Sequence, residues 1–390
     1  MTTIHRNSTL FFITFLVVRG LSAQPQLYTL SGSVRDSATS KPIAAVSVFL
    51  NGTSKGTTTH DDGTFLLTGI PAGGYQLIVS AIGYTTFQTV INTSQLPSNL
   101  DITLHSRPSE LTAVTVKPGI ENGWNKWGDI FWNNFIGTTE NASSCTIDNK
   151  EVLRFHYNRK TRRLGVSAAA PLIVVNKALG YTVEYRLDAF SYDFSNGLVQ
   201  YYGFLFFREM APAYAGQQRV WETARQHAYF GSVRHFMRCL YQGRLKQAGF
   251  LILHRVKRQN TEKVRVKAIY NPAIDTAGIS ADSLRYYRKV LQEPDTFIRT
   301  VNNYDTLVTV NADRTRSFYF PGIFIVGYSN AKLAIPNISS SMELTYPVSI
   351  QIEENGSYSP LQNLLLKGVW AKSEMVANLL PSDYMPPPLP

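Results

Sequence analysis

The sequence predicts a small all-β sandwich followed by a larger α+β domain with a mostly antiparallel sheet. Three observations carry this. Between residues 28 and 105, apolar and polar residues alternate with a period of two, and turn residues punctuate the chain every ~8–12 positions. Pro108 and Pro118-Gly119 then mark a linker over residues 106–120. Beyond it, strand-like runs share the chain with amphipathic helical patterns. The composition agrees: 44% hydrophobic and 17% charged residues fit a globular protein, and 12% aromatics lean towards strands.

Residues 1–23 read as a signal peptide. His5 and Arg6 precede an apolar run from Leu10 to Val18, and Gly20-Leu21-Ser22-Ala23 places small residues at a cleavage point after Ala23. The run is short of the roughly 20 residues that span a bilayer, and no later segment supplies them. The expectation is an exported mature chain with no transmembrane segment after cleavage. No Cys follows the cut, which argues against a lipoprotein anchor.

Within residues 27–105, Leu30-Ser31-Gly32-Ser33-Val34 and Val46-Ser47-Val48 send alternate side chains to a core and to water. Asn51-Gly52 and Asp62-Gly63 supply residues that tolerate positive φ, and Pro71-Ala72-Gly73-Gly74 makes another reversal. Adjacent Asp61 and Asp62 read as part of a hairpin turn, since calcium takes about six to eight oxygens and no further acids cluster there.

The order Ser31–Val34, Val46–Leu50, Asp61-Asp62-Gly63-Thr64-Phe65, Tyr75–Val79 and Ile82-Gly83-Tyr84 resembles the carboxypeptidase-regulatory-like domain common in Bacteroidota envelope proteins. The resemblance implies a transthyretin-like (prealbumin-like) sandwich serving as a structural or docking module. It also implies a periplasmic or outer-membrane-associated location. It implies no activity. Zinc carboxypeptidases need a His-x-x-Glu pair, and none of the seven His has Glu three positions on, so no metal or other cofactor is expected. Leu111–Val116 looks like the strand that precedes the plug of TonB-dependent receptors, yet the roughly 270 residues beyond are too few for a plug and a large barrel.

The α+β domain is expected over residues 121–375, followed by a Pro-rich tail over 376–390. Trp124, Trp127, Ile130, Phe131 and Phe135 share one helical face, which either packs on a sheet or meets sugar or membrane. Leu153–Tyr157 and Leu164–Val166 flank a basic turn and read as a hairpin, and Tyr181–Leu187 and Val199–Phe206 read as paired strands. Ser232 is a helix N-cap before the apolar face Val233, Phe236, Met237, Leu240 and Tyr241, with Gly249 as the stop and Arg234 and Arg238 pointing elsewhere. Phe250–Val256 is a strand, and Ala281–Leu291 a second short helix.

The net charge is +11. Twelve Lys/Arg lie between Arg219 and Lys267 against Glu222 and Glu262. For an exported chain this argues against nucleic acid and for an envelope protein or an acidic glycan or lipid headgroup, with a plain solvated face as the alternative. The residues of this basic face are Arg219, Arg225, Arg234, Arg238, Arg244 and Lys257. Cys145 and Cys239 can pair in an oxidising compartment, constraining the unfolded chain by about 4–5 kcal/mol in the loop-entropy picture, or remain two buried thiols.

Catalytic patterns are weak. Gly327-Tyr328-Ser329-Asn330-Ala331 follows an apolar run as a nucleophile elbow does, but the last His is His254, ahead of the Ser, and Ala331 replaces the final Gly. His227, His235 and His254 lack zinc spacing and read as satisfied or exposed. Glu353-Glu354 before Asn355-Gly356 reads as a surface turn. The expected function is therefore a non-enzymatic envelope protein that binds a partner and uses the sandwich as an interaction or spacer module. The alternatives are carbohydrate binding by sandwich aromatics Tyr75, Tyr84 and Phe87, and an unrecognised hydrolase in the C-terminal domain.

Overall fold

A computed structural model describes residues 26–106, 123–257, 260–273, 278–293, 295–312, 315–333 and 335–387. The signal peptide, nearly all of the linker with Leu111–Val116, and Pro388–Pro390 lie outside the described residues.

Alternation builds the N-terminal module as read. Strands β1 (Leu27–Asp36), β2 (Ser47–Leu50), β3 (Gly56–Thr58), β4 (Thr64–Pro71), β5 (Gly74–Ser80), β6 (Phe87–Asn92) and β7 (Leu100–Leu104) form two sheets, ordered β4-β1-β7 and β3-β2-β5-β6. β7 returns parallel to β1, and the other pairings are antiparallel. Leu30, Val34, Val48, Leu77 and Val79 are fully buried between the sheets. Along β1 their neighbours are exposed or half-buried, whereas in β2 and β5 the neighbours Phe49 and Ile78 are buried too, against the larger domain on the sheet's other face.

Helix α1 (Gly123–Phe135) opens the larger domain. Its aromatic stripe packs on a sheet. Phe131 and Phe135 are fully buried, Trp124 meets Phe155 edge-on, and Trp127 stacks on Tyr157 at 4.9 Å. That sheet comprises β8 (Cys145–Ile147), β9 (Leu153–Asn158), β10 (Arg163–Ala168), β11 (Leu172–Asn176), β12 (Tyr181–Asp193) and β13 (Leu198–Glu209). Its order is β8-β11-β12-β10-β9, with β13 paired to the long β12.

Two helices follow, α2 (Gln217–Tyr229) and α3 (Val233–Tyr241). Gly231 at φ 86° breaks them apart; a Cβ there would strain the backbone and strike Tyr328 at 2.7 Å. Ser232 caps α3 by accepting from the His235 amide. The helix ends at Tyr241, earlier than the expected stop, and Gly249 instead leads into β14 (Phe250–Lys257). Between β14 and β15 (Thr296–Thr300) stand α4 (Thr261–Ile269) and α5 (Ala281–Gln292). The remaining strands are β16 (Val308–Val310), β17 (Arg316–Phe318), β18 (Ile323–Asn330), β19 (Ile335–Leu344), β20 (Ile350–Ile352), β21 (Tyr358–Ser359) and β22 (Leu364–Gly368), followed by helix α6 (Val369–Ser373). They complete the sheets β15-β14-β18-β19-β22 and β16-β17-β20-β21. α3 buries Phe236, Met237 and Leu240 against Phe250, Phe318, Tyr328 and Trp370.

Of the two readings of Cys145 and Cys239, the structure has the buried thiols: both are free, and they sit in two different apolar clusters. At the start of the Pro-rich segment expected over residues 376–390, Val376, Ala377, Leu380 and Ser382 are buried. Ser329 lies inside β18 near its end, in keeping with the reading against a nucleophile elbow. The histidines behave as read: His227 is exposed, His254 bonds the Pro321 carbonyl, and His235 accepts from the Gly231 amide at 3.2 Å.

Two predictions follow from these cores. Burial pushes the Cys145 thiol up to about 12 and the Cys239 thiol to about 11, so neither is a thiolate at neutral pH. A maleimide will leave the folded chain unlabelled and label both cysteines in denaturant without reductant, read by mass. Burial, and secondarily the Arg238 charge, pushes His235 down to about 3. Unfolded, it titrates near ~6.5, so the unfolded state holds the extra proton between these values and stability falls as pH drops from ~6.5 towards ~3. Glu374, raised by burial, acts oppositely: its contribution is lost as pH rises through its folded pKa. His235→Gln will flatten the acid side of the urea midpoint against pH.

Candidate binding groove at the domain junction

The Asn51-Gly52 turn does more than reverse the chain. Gly52 takes φ 72°, and the turn it makes is inserted into the larger domain. Gly52 N–H donates to the Leu205 carbonyl at 2.8 Å, and Phe207 N–H donates to Thr53 at 3.0 Å. The Asn51 side-chain oxygen accepts from Leu205 N–H at 2.9 Å. These bonds extend β13 onto the sandwich. Phe49, Ile78 and Phe206 close a small apolar cluster beneath them, with Phe49 and Phe206 5.4 Å apart.

The C-terminal segment covers the turn from the other side. Ser382 N–H donates to the Gly52 carbonyl at 2.7 Å. Asp383 accepts from the Ser54 amide at 2.8 Å and the Ser54 hydroxyl at 2.5 Å, and its carboxylate stands 3.6 Å from Lys55 Nζ. Arg238 holds this segment in place. It is buried, and its guanidinium donates to the carbonyls of Asn355, Tyr384 and Ser382 at 2.9, 2.9 and 2.7 Å and to the Tyr229 hydroxyl at 3.3 Å. Arg234, half-buried, donates to the Leu380 carbonyl at 2.8 Å, and burial beside Arg238 pushes its guanidinium down to about 10.

The expected basic face is therefore not one face. Arg238 and Arg225 are buried and Arg234 is half-buried, because backbone carbonyls distant in sequence take up their donors. Arg225 donates to Leu179 at 2.8 Å and to Glu209 at 3.3 Å, with its guanidinium 4.0 Å from the Tyr181 ring. Arg219 and Arg244 are exposed, and the Lys257 side chain lies outside the described residues. The sandwich aromatics form no exposed platform either. Tyr75 is buried, and burial pushes its hydroxyl up to about 12. Tyr84 and Phe87 are half-buried against the sandwich core, and the Tyr84 hydroxyl donates to Asp36 at 2.9 Å. The Glu353-Glu354 turn is not wholly at the surface: Asn355 and Gly356 are buried, and Glu353, raised by burial, accepts from the Gly74 amide.

Between sandwich, β13 and the C-terminal segment lies a cleft of ≈ 550 Å³ whose lining includes Lys55, Tyr181, Arg208, Glu209, Asp383 and Tyr384. A second depression of ≈ 220 Å³ sits against β3 and shares Phe206 and Arg208 with it. Arg208 donates to Glu184 at 2.5 Å and lies over the Phe206 ring, so its charge is held rather than free-swinging. The lining offers donors and acceptors of both signs. It brings together no nucleophile with a histidine base, and no group of three metal-ligating side chains occurs among the described residues. Sequence reasoning missed Ser54, Lys55, Tyr181, Arg208, Glu209 and Asp383. The visible hints were the Asn51-Gly52 turn and the aliphatic and aromatic residues Leu379, Leu380 and Tyr384 in a supposed tail.

Residues 30–116 match the family model of the CarboxypepD_reg-like domain, so the N-terminal sandwich is of that kind. No curated protein matches the chain. Among solved structures, a mutant cohesin–X-dockerin complex from Acetivibrio cellulolyticus shares 24% identity over 20% of this chain and 57% of its own, with a TM-score of 0.18. The 3-chlorocatechol 1,2-dioxygenase of Rhodococcus opacus 1CP shares 13% over 22% and 61%, also at 0.18. The chain thus spans about three-fifths of the length of these two proteins. A Bacteroides fragilis protein of unknown function, described as membrane-associated, shares 13% over 88% and 97%, at 0.17.

The junction predicts its own energetics. Arg238→Ala will lower stability by about 3 kcal/mol or more, since it removes a charged donor from several buried acceptors. Asp383→Ala will cost about 1–2 kcal/mol, since Ser54 and Lys55 keep access to water. Urea midpoints of both variants check this, with Arg238→Ala the more damaging.

Proposed function

We propose that the chain is an exported cell-envelope protein that works by binding, with the sandwich as a fixed wall of the junction groove rather than a swinging spacer. The observation that carries this is the seating of Gly52–Lys55 between β13 and the C-terminal segment through backbone bonds in both directions. A module held by its main chain on two sides contributes shape to a shared site, as rigid elements do in binding proteins. The signal-like first 23 residues support export. Among the described residues no helix is long and apolar enough to cross a membrane. The mixed charge of the cleft, with Lys55 and Arg208 facing Asp383 and Glu209, favours a polar ligand carrying charges of both signs, such as an extended peptide segment.

Fractionation of cells expressing the full chain tests the proposal. The mature protein is expected to begin at Gln24 and to collect with the envelope. Recovery in the cytoplasm with Met1 retained would sink the export reading. Turnover of ester or glycoside substrates that disappears in Glu209→Gln or Asp383→Asn would replace binding by catalysis.

A further inference from the structure

We infer that the junction cleft takes an extended peptide as an added strand on the open edge of β13; this deepens the binding role proposed above and rests on it. Hydrogen-bond parity defines the edge. In an antiparallel pair, successive residues turn their main-chain N–H and C=O alternately towards the partner strand and away from it. Met210 N–H donates to the carbonyl of Gly180, just ahead of β12, at 3.0 Å, so the even-numbered residues at this end of β13 serve the ladder with β12. The odd-numbered residues Leu205, Phe207 and Glu209 turn their main-chain groups the other way.

The sandwich occupies only the first part of this edge. Gly52 N–H donates to the Leu205 carbonyl, Phe207 N–H donates to the Thr53 carbonyl, and Thr53 bridges Phe206 in the parallel sense. Beyond Thr53 the turn leaves the strand: Ser54 N–H donates to Asp383, and the Lys55 carbonyl accepts from Leu50 N–H. Among the described residues, the Phe207 carbonyl and the N–H and carbonyl of Glu209 then have no hydrogen-bond partner. Phe207 and Glu209 both line the cleft of ≈ 550 Å³, a volume usual for a ligand site.

The charges around this edge select no ligand of one sign. Lys55 faces Asp383 at 3.6 Å, Arg208 donates to Glu184 at 2.5 Å, and Glu209 accepts from Arg225 at 3.3 Å. A phosphate, a uronate or a lone cation would have to break one of these pairs. The unmatched groups are main-chain groups at strand spacing, and an extended peptide carries their complements. Continuing the parallel register of Thr53, a peptide residue opposite Arg208 donates to the Phe207 carbonyl and accepts from Glu209 N–H. The peptide residue two positions on donates to the Glu209 carbonyl. Arg208 and Glu209 lie on opposite faces of β13, so the peptide's side chains meet a matched ion pair on either face and are selected only mildly.

The test screens the purified mature chain against a phage-displayed library of random heptapeptides. The best binder is resynthesised with one N-methyl group at each position in turn, and affinity is read by fluorescence anisotropy. The losses are expected to alternate along the peptide: methylating either residue that donates to β13 costs about tenfold, and methylating the residue between them costs little. Glu209→Pro is expected to bind about tenfold more weakly than Glu209→Ala, since both lack the carboxylate and only proline lacks the N–H. An outward-facing N–H on an edge strand is a position where proline is tolerated. If circular dichroism shows that the proline variant misfolds, amide exchange of the unaltered chain decides: the peptide should slow exchange in the fragment spanning residues 205–210 by about tenfold. No enriched peptide, no alternation in the N-methyl series, equal binding by the two Glu209 variants, or unchanged exchange overturns the inference. Capture of alginate that the heptapeptide cannot displace overturns it too, while leaving a binding role in place. Export is read separately by fractionation, so either reading can fail while the other stands.

Discussion

The arrangement of the two domains depends on one buried cation. Arg238 stands on α3, inside the larger domain, yet every acceptor it uses belongs to another part of the chain: Tyr229 at the end of α2, Asn355 in the β20–β21 turn, and Ser382 and Tyr384 in the C-terminal segment. A guanidinium is a planar fork with five donors and cannot shed its proton, so burial obliges the fold to bring carbonyls to it. Once they are gathered, the C-terminal segment has a fixed path. That path presents Ser382 and Asp383 to the Gly52–Lys55 turn. The sandwich is thus held by a chain of contacts that begins with a residue it does not touch.

Neighbouring charges show the same logic. Arg225 joins α2 to the Leu179–Gly180 turn and to Glu209, and Arg234 holds Leu380. Glu374 accepts the Val233 amide at the start of α3, where a carboxylate complements the exposed N–H groups of a helix terminus. Buried or half-buried ionic groups cost desolvation, so their worth here lies in specifying one packing of segments far apart in sequence rather than in adding stability.

What the sequence made legible was local. Period-two alternation placed the sandwich, the stripe from Trp124 to Phe135 placed α1, and Ser232 placed the start of α3. What stayed hidden was long-range. Arg225, Arg234 and Arg238 looked like surface charges because nothing within a few residues of them reveals a carbonyl some 45 positions away for Arg225 and more than a hundred for Arg234 and Arg238. Cys145 and Cys239 looked pairable because spacing alone says nothing of two separate cores. α2 escaped notice because its Gln- and Arg-rich composition masks the buried Trp221 and Tyr229. The groove shared this fate: it forms where three remote stretches meet, and none of them carries a motif.

The threading of residues 380–384 also orders the molecule's assembly in time. The sandwich and most of the larger domain precede this strap in the chain, and Leu380 at its start completes the larger domain's own core. A polypeptide halted short of Leu380 would leave Arg238 with Asn355 and Tyr229 but without Ser382 and Tyr384, and the Asn51–Lys55 loop without its lid. Such a product would be marked for quality control by its own unfinished seam.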